Sequence, residues 1–510
     1  MTALVVILLY LALLLTLGFA SQRFFRGTSQ DYFVASRSIG PFLLLMSVFG
    51  TTMTAFALVG STGEAYRHGI GTYGMLASYS GLIHSAVFFV IGIRVWAISK
   101  RNGYVTQIQY FRDRFESSGL GYVLFPILVG LVIPYLLIGL LGAGSVVRSI
   151  TIDPGREWLN AGVPPWLTGL VISSIVLTYI FLGGLRSAAW ANTFQTIVFM
   201  ATGLITIWVI SSKLGGASAA SEAVLANMAQ KAKLSRENIP PMQFLSYAII
   251  PLSVGMFPHI FQHWLTARSA KSFRLALIAH PLCIMIVWVP CILIGVWATS
   301  AVFPVGHVRA GDLIVPLKHP PNAELAIMVK ALTTPALAGL LAAGILAAIM
   351  SSLDSQFLCL GTMFTNDVVF HACGESRFSE KQKILMARGF VVAIVIVTYL
   401  LSLLEPRQVF KMGVWCFTGF GSLFPLVFAA LYWRRTTAAA AYACVILTAA
   451  TWLALFAKSG WGKTYLLLTD LKLMPATLTF AVAVVSIVVV SLVTRPPSDA
   501  TLDRFFRRTG

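Results

Sequence analysis

The sequence predicts an all-α, polytopic membrane protein with about thirteen transmembrane helices. Across 510 residues, 57% of the side chains are hydrophobic and 11% are charged, whereas a soluble domain carries roughly 25% charged residues. The apolar residues also fall into runs of about 20, the length that an α-helix needs to cross the hydrocarbon core. Because 18 acidic and 37 basic residues cannot cover several soluble surfaces, the chain must use lipid as its solvent.

An apolar run defines each predicted span. The runs lie near 2–21, 40–64, 72–98, 120–147, 165–183, 190–211, 243–265, 273–300, 335–370, 383–404, 407–432, 437–457 and 473–494. The first run has no basic residue before Arg23 and no A-x-A cleavage pattern. We therefore expect a retained helix and not a signal peptide.

The distribution of Lys and Arg predicts the orientation, because cytoplasmic loops accumulate basic residues. One set of alternating loops is rich in them and includes Arg186, Arg434 and Arg435. The other set is poorer in basic residues, and acids such as Glu237 and Glu324 offset many of those it has. With an odd number of spans, this pattern predicts an N-terminus outside and a C-terminus in the cytoplasm, in the plasma membrane.

Other patterns argue against several classes of protein. The six cysteines show no CxxC spacing, so we expect neither a disulfide framework nor a zinc site. No catalytic triad, metal cluster or nucleotide-binding loop is visible, which argues against an enzyme. The net charge of +19 comes from Lys and Arg scattered between apolar runs, so we expect no nucleic-acid partner. No obligatory protein partner is evident either.

Two of the spans contain residues that interrupt helices. The segment 50–54, at the middle of the span near 40–64, holds one Gly and three Thr. The span near 243–265 holds Pro251, Gly255 and Pro258. Broken helices at corresponding positions of two halves are typical of secondary transporters, although Gly and Pro are also generally common in membrane helices.

These two breaks predict an internal repeat within a single membrane domain. The expected parts are a leading helix in 1–35, a first repeat in 36–215, a second in 243–433, and two trailing spans with a cytoplasmic tail in 434–510. Because each repeat would hold an odd number of spans, the second would be inverted relative to the first.

The span near 335–370 carries the most polar cluster at membrane depth. The carbonyl of Ala348 and the hydroxyls of Ser351 and Ser352 lie at i, i+3 and i+4 and so share one helix face. Such oxygens suit a hard monovalent cation such as Na+, although serines in membrane helices often bond their own backbone. Asp354 is a candidate functional residue, because a carboxylate at this depth costs about 3 kcal/mol. It could also remain protonated or pair with a hydroxyl.

Five segments together resemble the sodium:solute symporter family, which includes sodium/glucose, sodium/proline, sodium/pantothenate and sodium/monocarboxylate transporters. The likeness spans about residues 1–495 and favours the bacterial proline, pantothenate and monocarboxylate branch. The five segments are DYFVASRS at 31–38, FGTTMTAFALVGSTG at 49–63, GGLRSAAWANTFQ at 183–195, FPHIFQHWLTARSAKS at 257–272 and IMSSLDSQFLCLGTMFTNDV at 349–368. The resemblance implies a LeuT-type core of two inverted five-helix repeats, preceded by one helix and followed by two.

The resemblance also implies a sodium site. The backbone carbonyls of Gly50 and Met53 would face the Ala348 carbonyl and the hydroxyls of Ser351 and Ser352. These oxygens would form a neutral cage for one co-transported Na+, with Li+ or H+ left open as substitutes.

One departure from the family pattern concerns the number of ions. Many members have Thr-Asp where this chain has Ala191 and Asn192, and the acid helps some of them hold a second sodium. We therefore expect one Na+ per cycle. Asn192 and Asp354 become candidate coupling residues, because Asp354 could partly replace the missing charge.

The resemblance places the solute beside the cation, at the breaks. The candidate solute-binding residues are Thr52, Thr54, Ala55, Phe56, Tyr73, Tyr135, Phe257, His259, Gln262, Trp415 and Phe417. His259 is favoured, because it follows Pro258 and an imidazole can donate a hydrogen bond to a carboxylate. For each aromatic residue the alternative is helix packing, and for His84 and His280 a structural role is expected.

The implied function is Na+-coupled secondary active import of a small organic solute by alternating access. A carboxylate-bearing solute is favoured, such as a monocarboxylate, an amino acid like proline, or pantothenate. The alternative is a membrane sensor or channel built on the same bundle. A sensor would carry an attached signalling domain and a channel a repeated ring of polar residues, and neither is visible in the sequence.

Overall fold

A computed structural model gives the structure of the protein. It describes residues 1–21, 23, 25–228, 230–299, 307–310, 313–316, 322–404, 408–465 and 467–506. The predicted span boundaries at 300 and 407, part of the segment between the predicted spans 273–300 and 335–370, and the tail residues 507–510 lie outside this range. Within it, ten helices are long and apolar enough to cross a membrane, and two bent pairs raise the number to twelve.

The helices follow one another along the chain with short connections. In chain order they are α1 (Thr2–Ser21), α2 (Ser29–Val34), α3 (Pro41–Thr52), α4 (Phe56–His68), α5 (Gly71–Asn102), α6 (Gln107–Arg114), α7 (Ser118–Thr151), α8 (Pro165–Phe181), α9 (Gly183–Lys213), α10 (Ala217–Ala226), α11 (Pro241–Gly255), α12 (Pro258–Thr266), α13 (Ala270–Trp297), α14 (Glu324–Leu332), α15 (Pro335–Cys373), α16 (Glu380–Ser402), α17 (Val409–Tyr432), α18 (Ala438–Lys458), α19 (Pro475–Val493) and α20 (Asp499–Phe506). Two short antiparallel strands, β1 (His307–Ala310) and β2 (Leu313–Pro316), precede α14.

The most buried helices lie at the centre of the bundle. In the apolar windows of α15 and α17, 83% and 89% of the residues are buried inside the protein, against 33% in α1, α18 and α19. Helices α15 and α17 therefore form the core, while the other three face lipid on most of their surface. The all-helical membrane fold predicted from the composition is confirmed, whereas the repeat boundaries at 36–215 and 243–433 stay a prediction.

The first predicted interruption is confirmed, because α3 and α4 meet at an angle of 58°. Local hydroxyl groups explain the break. Thr52 Oγ1 donates to the Phe49 carbonyl at 2.8 Å, and Thr54 Oγ1 accepts from the Phe56 amide at 3.0 Å. These bonds compete with the helical ladder, and Met53 between them has an extended conformation with φ −88° and ψ 104°.

The second predicted interruption is also confirmed, with a bend of 50° between α11 and α12. Pro258 occupies the first turn of α12, where its missing N–H costs no helical bond. Phe257 before it is extended, with φ −63° and ψ 117°, as expected for a residue that precedes proline.

The prediction of a loop between the spans near 165–183 and 190–211 is wrong. Helices α8 and α9 follow each other directly at Gly184, which has φ 59° and ψ −156°. A Cβ at Gly184 would lie 2.8 Å from Tyr32 Cα, so only glycine fits. Arg186, predicted in that loop, lies in α9 and pairs with buried Asp31 at 2.7 Å. This pair joins two of the segments that carry the family resemblance.

The outer loop also differs from the expectation. Glu324 was expected as a loop acid, but it begins α14 and is only 1% exposed. Its carboxylate pairs with Arg67 Nη2 of α4 at 3.4 Å. Helix α14 therefore packs onto the end of the bundle that the predicted orientation places outside.

Candidate functional site

The break after α3 brings the backbone of Gly50 against α15. A Cβ at Gly50 would lie 2.8 Å from Ser351 Oγ and 3.5 Å from the Asn192 carbonyl oxygen, and would also meet Thr196 Oγ1. Glycine is needed here because the two helices approach too closely for a side chain. The structure thus brings together Gly50 and Ser351, which the resemblance assigns to one cation site.

The Gly50 and Met53 carbonyls and the Ser352 hydroxyl of the predicted cage are available to a ligand. Among the described residues, no backbone N–H bonds to the carbonyl of Gly50 or Met53, because the helical ladder stops between them. Ser352 Oγ donates its proton to the Ile349 carbonyl at 3.0 Å, which leaves its lone pairs free to accept. Ala348, Ser351 and Ser352 are all fully buried on one face of α15.

A polar network that the sequence analysis missed lies beside the cage. Thr51 Oγ1 is 2.7 Å from Ser355 Oγ and 3.3 Å from His263 Nε2, and His263 Nε2 is 2.9 Å from Ser355 Oγ. Ser355 follows Ser351 by one helical turn, and His263 follows His259 by one turn. That spacing is the signal that could have found the network.

Asn192 joins this network to Asp354. With its amide oriented to satisfy both ends, its oxygen accepts from Ser355 Oγ at 3.0 Å while its nitrogen donates to Asp354 Oδ2 at 3.0 Å. The nitrogen also lies 3.3 Å from Ser351 Oγ. Asn192 therefore lies next to the cage, where the resemblance placed it.

Asp354 is fully buried on the side of α1 and α8. Its titratable neighbours there are Tyr179 of α8 and Tyr10 of α1. No ion pair involving Asp354 occurs among the described residues. Its surroundings are neutral hydrogen-bonding groups, and its role in coupling stays a prediction.

A small cavity adjoins the cage on the other side of Met53. Its volume is about 30 Å³, room for about two water molecules and no more. Six of the residues that the resemblance assigns to the cation or the solute line this cavity, namely Thr52, Met53, Phe56, Tyr135, Phe257 and Phe417. The bundle is therefore closed around its centre, and a solute needs the helices to move apart.

Further residues that line the cavity were not predicted. They are Ser80, His84, Tyr247, Ile250, Pro251, Ser253 and Trp288. His84, which we expected to have only a structural role, is among them. Its ring also contacts His280 with a centroid separation of 5.4 Å.

Aromatic rings form most of the cavity wall. Phe417 is 4.9 Å from Phe56 and 5.0 Å from Tyr135 between ring centroids, both edge-to-face. Phe257 completes the group at 5.3 Å from Tyr135. His259 stacks on Phe257 at 5.1 Å and so lies directly behind the cavity wall.

Three predicted solute-binding residues lie elsewhere. Trp415 Nε1 donates to the Thr464 carbonyl at 2.9 Å, and its ring faces α18. Gln262 Nε2 donates to the Phe33 carbonyl at 2.7 Å, toward the opposite end of α12. Tyr73 is not among the residues that line the cavity.

Two more predicted residues are close to the cavity but support its wall. Thr54 uses its hydroxyl to cap α4. The side chain of Ala55 faces Gly142 of α7, where a Cβ on the glycine would clash with it. Both residues therefore shape the break and the packing of α4 on α7.

Larger cavities lie away from this centre. Two of them, of about 380 and 330 Å³, lie against α7 and share Pro134, Phe456 and Trp461 in their linings. Both are mostly apolar and lie on the lipid-facing side near α18. We place the candidate site at the small central cavity, because residues of both breaks line it.

The family assignment agrees with this geometry. The model of the Sodium:solute symporter family matches residues 32–448, which include both breaks and the serines of α15. The chain belongs to the sodium:solute symporter family. It is a multi-pass membrane symporter that couples solute movement to Na+ by alternating access.

Individual relatives cover nearly the whole chain. The sodium/proline symporter of Haemophilus influenzae is 27% identical, with 94% of this chain and 93% of that protein covered. The sodium/proline symporter of Escherichia coli is 26% identical, with 98% and 95% covered.

Solved structures share the fold. A Na+-coupled sialic acid symporter in a substrate-bound outward-open state has a TM-score of 0.73 at 18% identity, covering 98% of this chain and 99% of that one. Mhp1, a nucleobase-cation-symport-1 family transporter in a closed conformation, has a TM-score of 0.56 at 13% identity, covering 93% and 97%.

Proposed function

We propose that this symporter imports a small carboxylate-bearing solute together with one Na+ across the plasma membrane, with its N-terminus outside and its C-terminus in the cytoplasm. The observation that carries the proposal is the contact between the broken α3 and the serine face of α15. There, the backbone of Gly50, whose carbonyl the break leaves without an N–H donor among the described residues, lies against the hydroxyl of buried Ser351.

The proposed Na+ ligands are the carbonyls of Gly50, Met53 and Ala348 and the hydroxyls of Ser351 and Ser352. All are neutral oxygens, which suit a hard cation of single charge. A divalent ion would be poorly compensated at this depth, because no carboxylate is among them.

The composition of the cavity supports a solute whose charge is balanced by the ion. None of the residues that line it is Asp, Glu, Lys or Arg. Met53 belongs to both sites, so a carboxylate in the cavity would lie beside the Na+. The amino ends of α4 and α12 point toward the same region and favour negative charge.

Two histidines are proposed to complete the recognition of the carboxylate. His84 lines the cavity, and His259 lies behind Phe257 with neither ring nitrogen bonded within the described part of the chain. Either ring can donate one hydrogen bond in its neutral form. The aromatic wall would cover the apolar part of the solute, as in a proline ring or a short alkyl chain, and the named sodium/proline relatives agree with such a solute.

The proposed cycle follows from closure of the cavity. Na+ and solute bind from outside, the helices close around both, and opening toward the cytoplasm separates α3 from α15 and dismantles the cage. Entry of one positive charge yields about 2.3 kcal/mol per 100 mV of membrane potential, in addition to the sodium gradient.

Uptake into proteoliposomes tests the proposal. Labelled monocarboxylates, amino acids including proline, pantothenate and sugars are each supplied with an inward Na+ gradient, with a K+ gradient of equal size as control. We expect Na+-dependent accumulation of at least one carboxylate-bearing solute with a Hill coefficient for Na+ near one. Accumulation of neutral sugars alone would refute the solute class, and a Hill coefficient clearly above one would refute the single ion.

A further inference from the structure

Several buried polar side chains below the cage have unused hydrogen-bonding atoms. Both ends of the Gln356 amide lack a partner among the described residues, although the side chain is only 1% exposed. The same holds for Gln107 Oε1, Gln262 Oε1 and Asp367 Oδ2. Buried polar atoms without partners cost free energy, so a group of them on one side of a binding site calls for a functional explanation.

Contacts place these side chains at one end of the bundle, which the predicted orientation makes cytoplasmic. Thr106 Oγ1 donates to Asp367 Oδ1 at 2.8 Å, and Gln107 Nε2 donates to the Met256 carbonyl at 3.3 Å. The start of α6 therefore touches both α15 and the break before α12. These bonds close the space below the cage.

Gln356 is the member of this group nearest the proposed Na+ site. It follows Ser352 by four residues, so the two side chains share a face of α15. Side chains on an α-helix lean toward its N-terminus. We therefore expect the Gln356 amide to lean back over the turn that carries Ser352, on the side of the cage that the predicted orientation makes cytoplasmic.

The chemistry of the amide suits a departing cation. Its carbonyl oxygen is a hard neutral ligand like those of the cage, and its N–H2 group can hold a water of hydration. Asp367 is less suited, because Thr106 Oγ1 already donates to one of its carboxylate oxygens at 2.8 Å.

We propose that Gln356 is an exit ligand, which binds Na+ when the cage opens toward the cytoplasm and before the ion is fully hydrated. This inference rests on the Na+ cage of the proposed function. The cage binds the Na+ that arrives from outside. Gln356 therefore contributes to the release of Na+ and not to the first binding step.

The test compares two transport modes in proteoliposomes, using the solute identified in the uptake panel. Net uptake requires Na+ to leave on the inside, whereas solute exchange with saturating Na+ on both sides does not. Loss of one group that binds a charged partner weakens the binding of that partner by about tenfold or more. For Gln356→Met, of similar shape, we expect net uptake to fall about tenfold while exchange and the external Na+ concentration for half-maximal uptake change less than about twofold.

A second variant serves if the first does not fold. Gln356→Glu keeps an oxygen ligand and adds charge, so internal Na+ should inhibit net uptake at an about tenfold lower concentration. An equal fall of net uptake and exchange in Gln356→Met would overturn the proposal, because it would indicate a structural role. Unchanged net uptake in that variant, or unchanged internal inhibition in Gln356→Glu, would overturn it as well.

The two proposals fail in distinguishable ways. If uptake by the wild-type protein did not depend on Na+, the assignment of the Na+ cage itself would be wrong. If Ser352→Ala raised the external Na+ requirement and Gln356→Met changed neither mode, only the exit ligand would be wrong.

Discussion

Replacing Gly50 with alanine tests the cage through a single methyl group. The new Cβ would lie 2.8 Å from Ser351 Oγ, about 0.6 Å closer than an ordinary van der Waals contact at 3.4 Å. The new Cβ would also meet Thr196 Oγ1 of α9, so Ser351 and Thr196, or the backbone of α3, must move. Overpacking of this kind costs about 1–3 kcal/mol.

The expected effect falls on sodium binding, because the displaced groups include Ser351 and the backbone of Gly50, two of the proposed ligands. If about 1.4 kcal/mol of the cost is borne by the Na+-bound state, the external Na+ concentration for half-maximal uptake rises about tenfold. The assay is uptake into proteoliposomes over a series of Na+ concentrations at saturating solute.

Gly60 supplies the matched control in the same broken span. A Cβ at Gly60 would lie 3.5 Å from its nearest neighbours, Phe410 and Val409, which is ordinary contact. Gly60→Ala should therefore leave the Na+ requirement within about twofold of wild type, since it forces no displacement. Equal Na+ requirements in Gly50→Ala, Gly60→Ala and wild type, at equal amounts of folded protein, would refute the cage.

Three further predictions follow from the same geometry. Ser352→Ala removes one neutral ligand, so the external Na+ requirement in the uptake assay should rise about tenfold; an unchanged value would exclude this hydroxyl as a ligand. Asp31→Asn leaves Arg186 without its buried partner and should lower the free energy of unfolding by about 3–5 kcal/mol, measured by thermal unfolding in detergent. A smaller loss is expected in the double variant Asp31→Asn/Arg186→Met than in Asp31→Asn alone, because removing both charges leaves no unpaired buried ion. Phe417→Ala should weaken solute binding about tenfold or more through lost packing, whereas Trp415→Phe should not; equal solute affinities in the two variants would contradict the cavity assignment.

The breaks could be predicted from the sequence because they have local causes. Thr52 and Thr54 compete with the backbone wherever they occur, and Pro258 removes a helical bond in any context. The serines of α15 could be found for a related reason, since polar groups at membrane depth stand out against an apolar background.

The direction of side chains on the central helices could not be predicted in the same way. Helix α17 carries few polar side chains, so its composition does not say whether the side of Phe417 or the side of Trp415 lines the cavity. The same limit applies to Gln262 and to His84, whose positions depend on how whole helices pack. In a soluble protein a polar face would mark the outside, but here lipid and core demand the same residues.

The join between α8 and α9 depends on long-range packing. A glycine pair followed by Arg186 is typical of a loop when read alone. Only the approach of Tyr32 to Gly184 and the ion pair with Asp31 explain why the helices continue through it.

The central claim is that Na+ and solute occupy adjoining sites that share Met53. Binding of labelled solute to the purified protein in detergent, measured over a series of Na+ concentrations, tests this claim without transport. We predict that Na+ raises the affinity for solute and that solute raises the affinity for Na+ by the same factor, as linkage requires. Solute binding of equal affinity with and without Na+ would contradict the account.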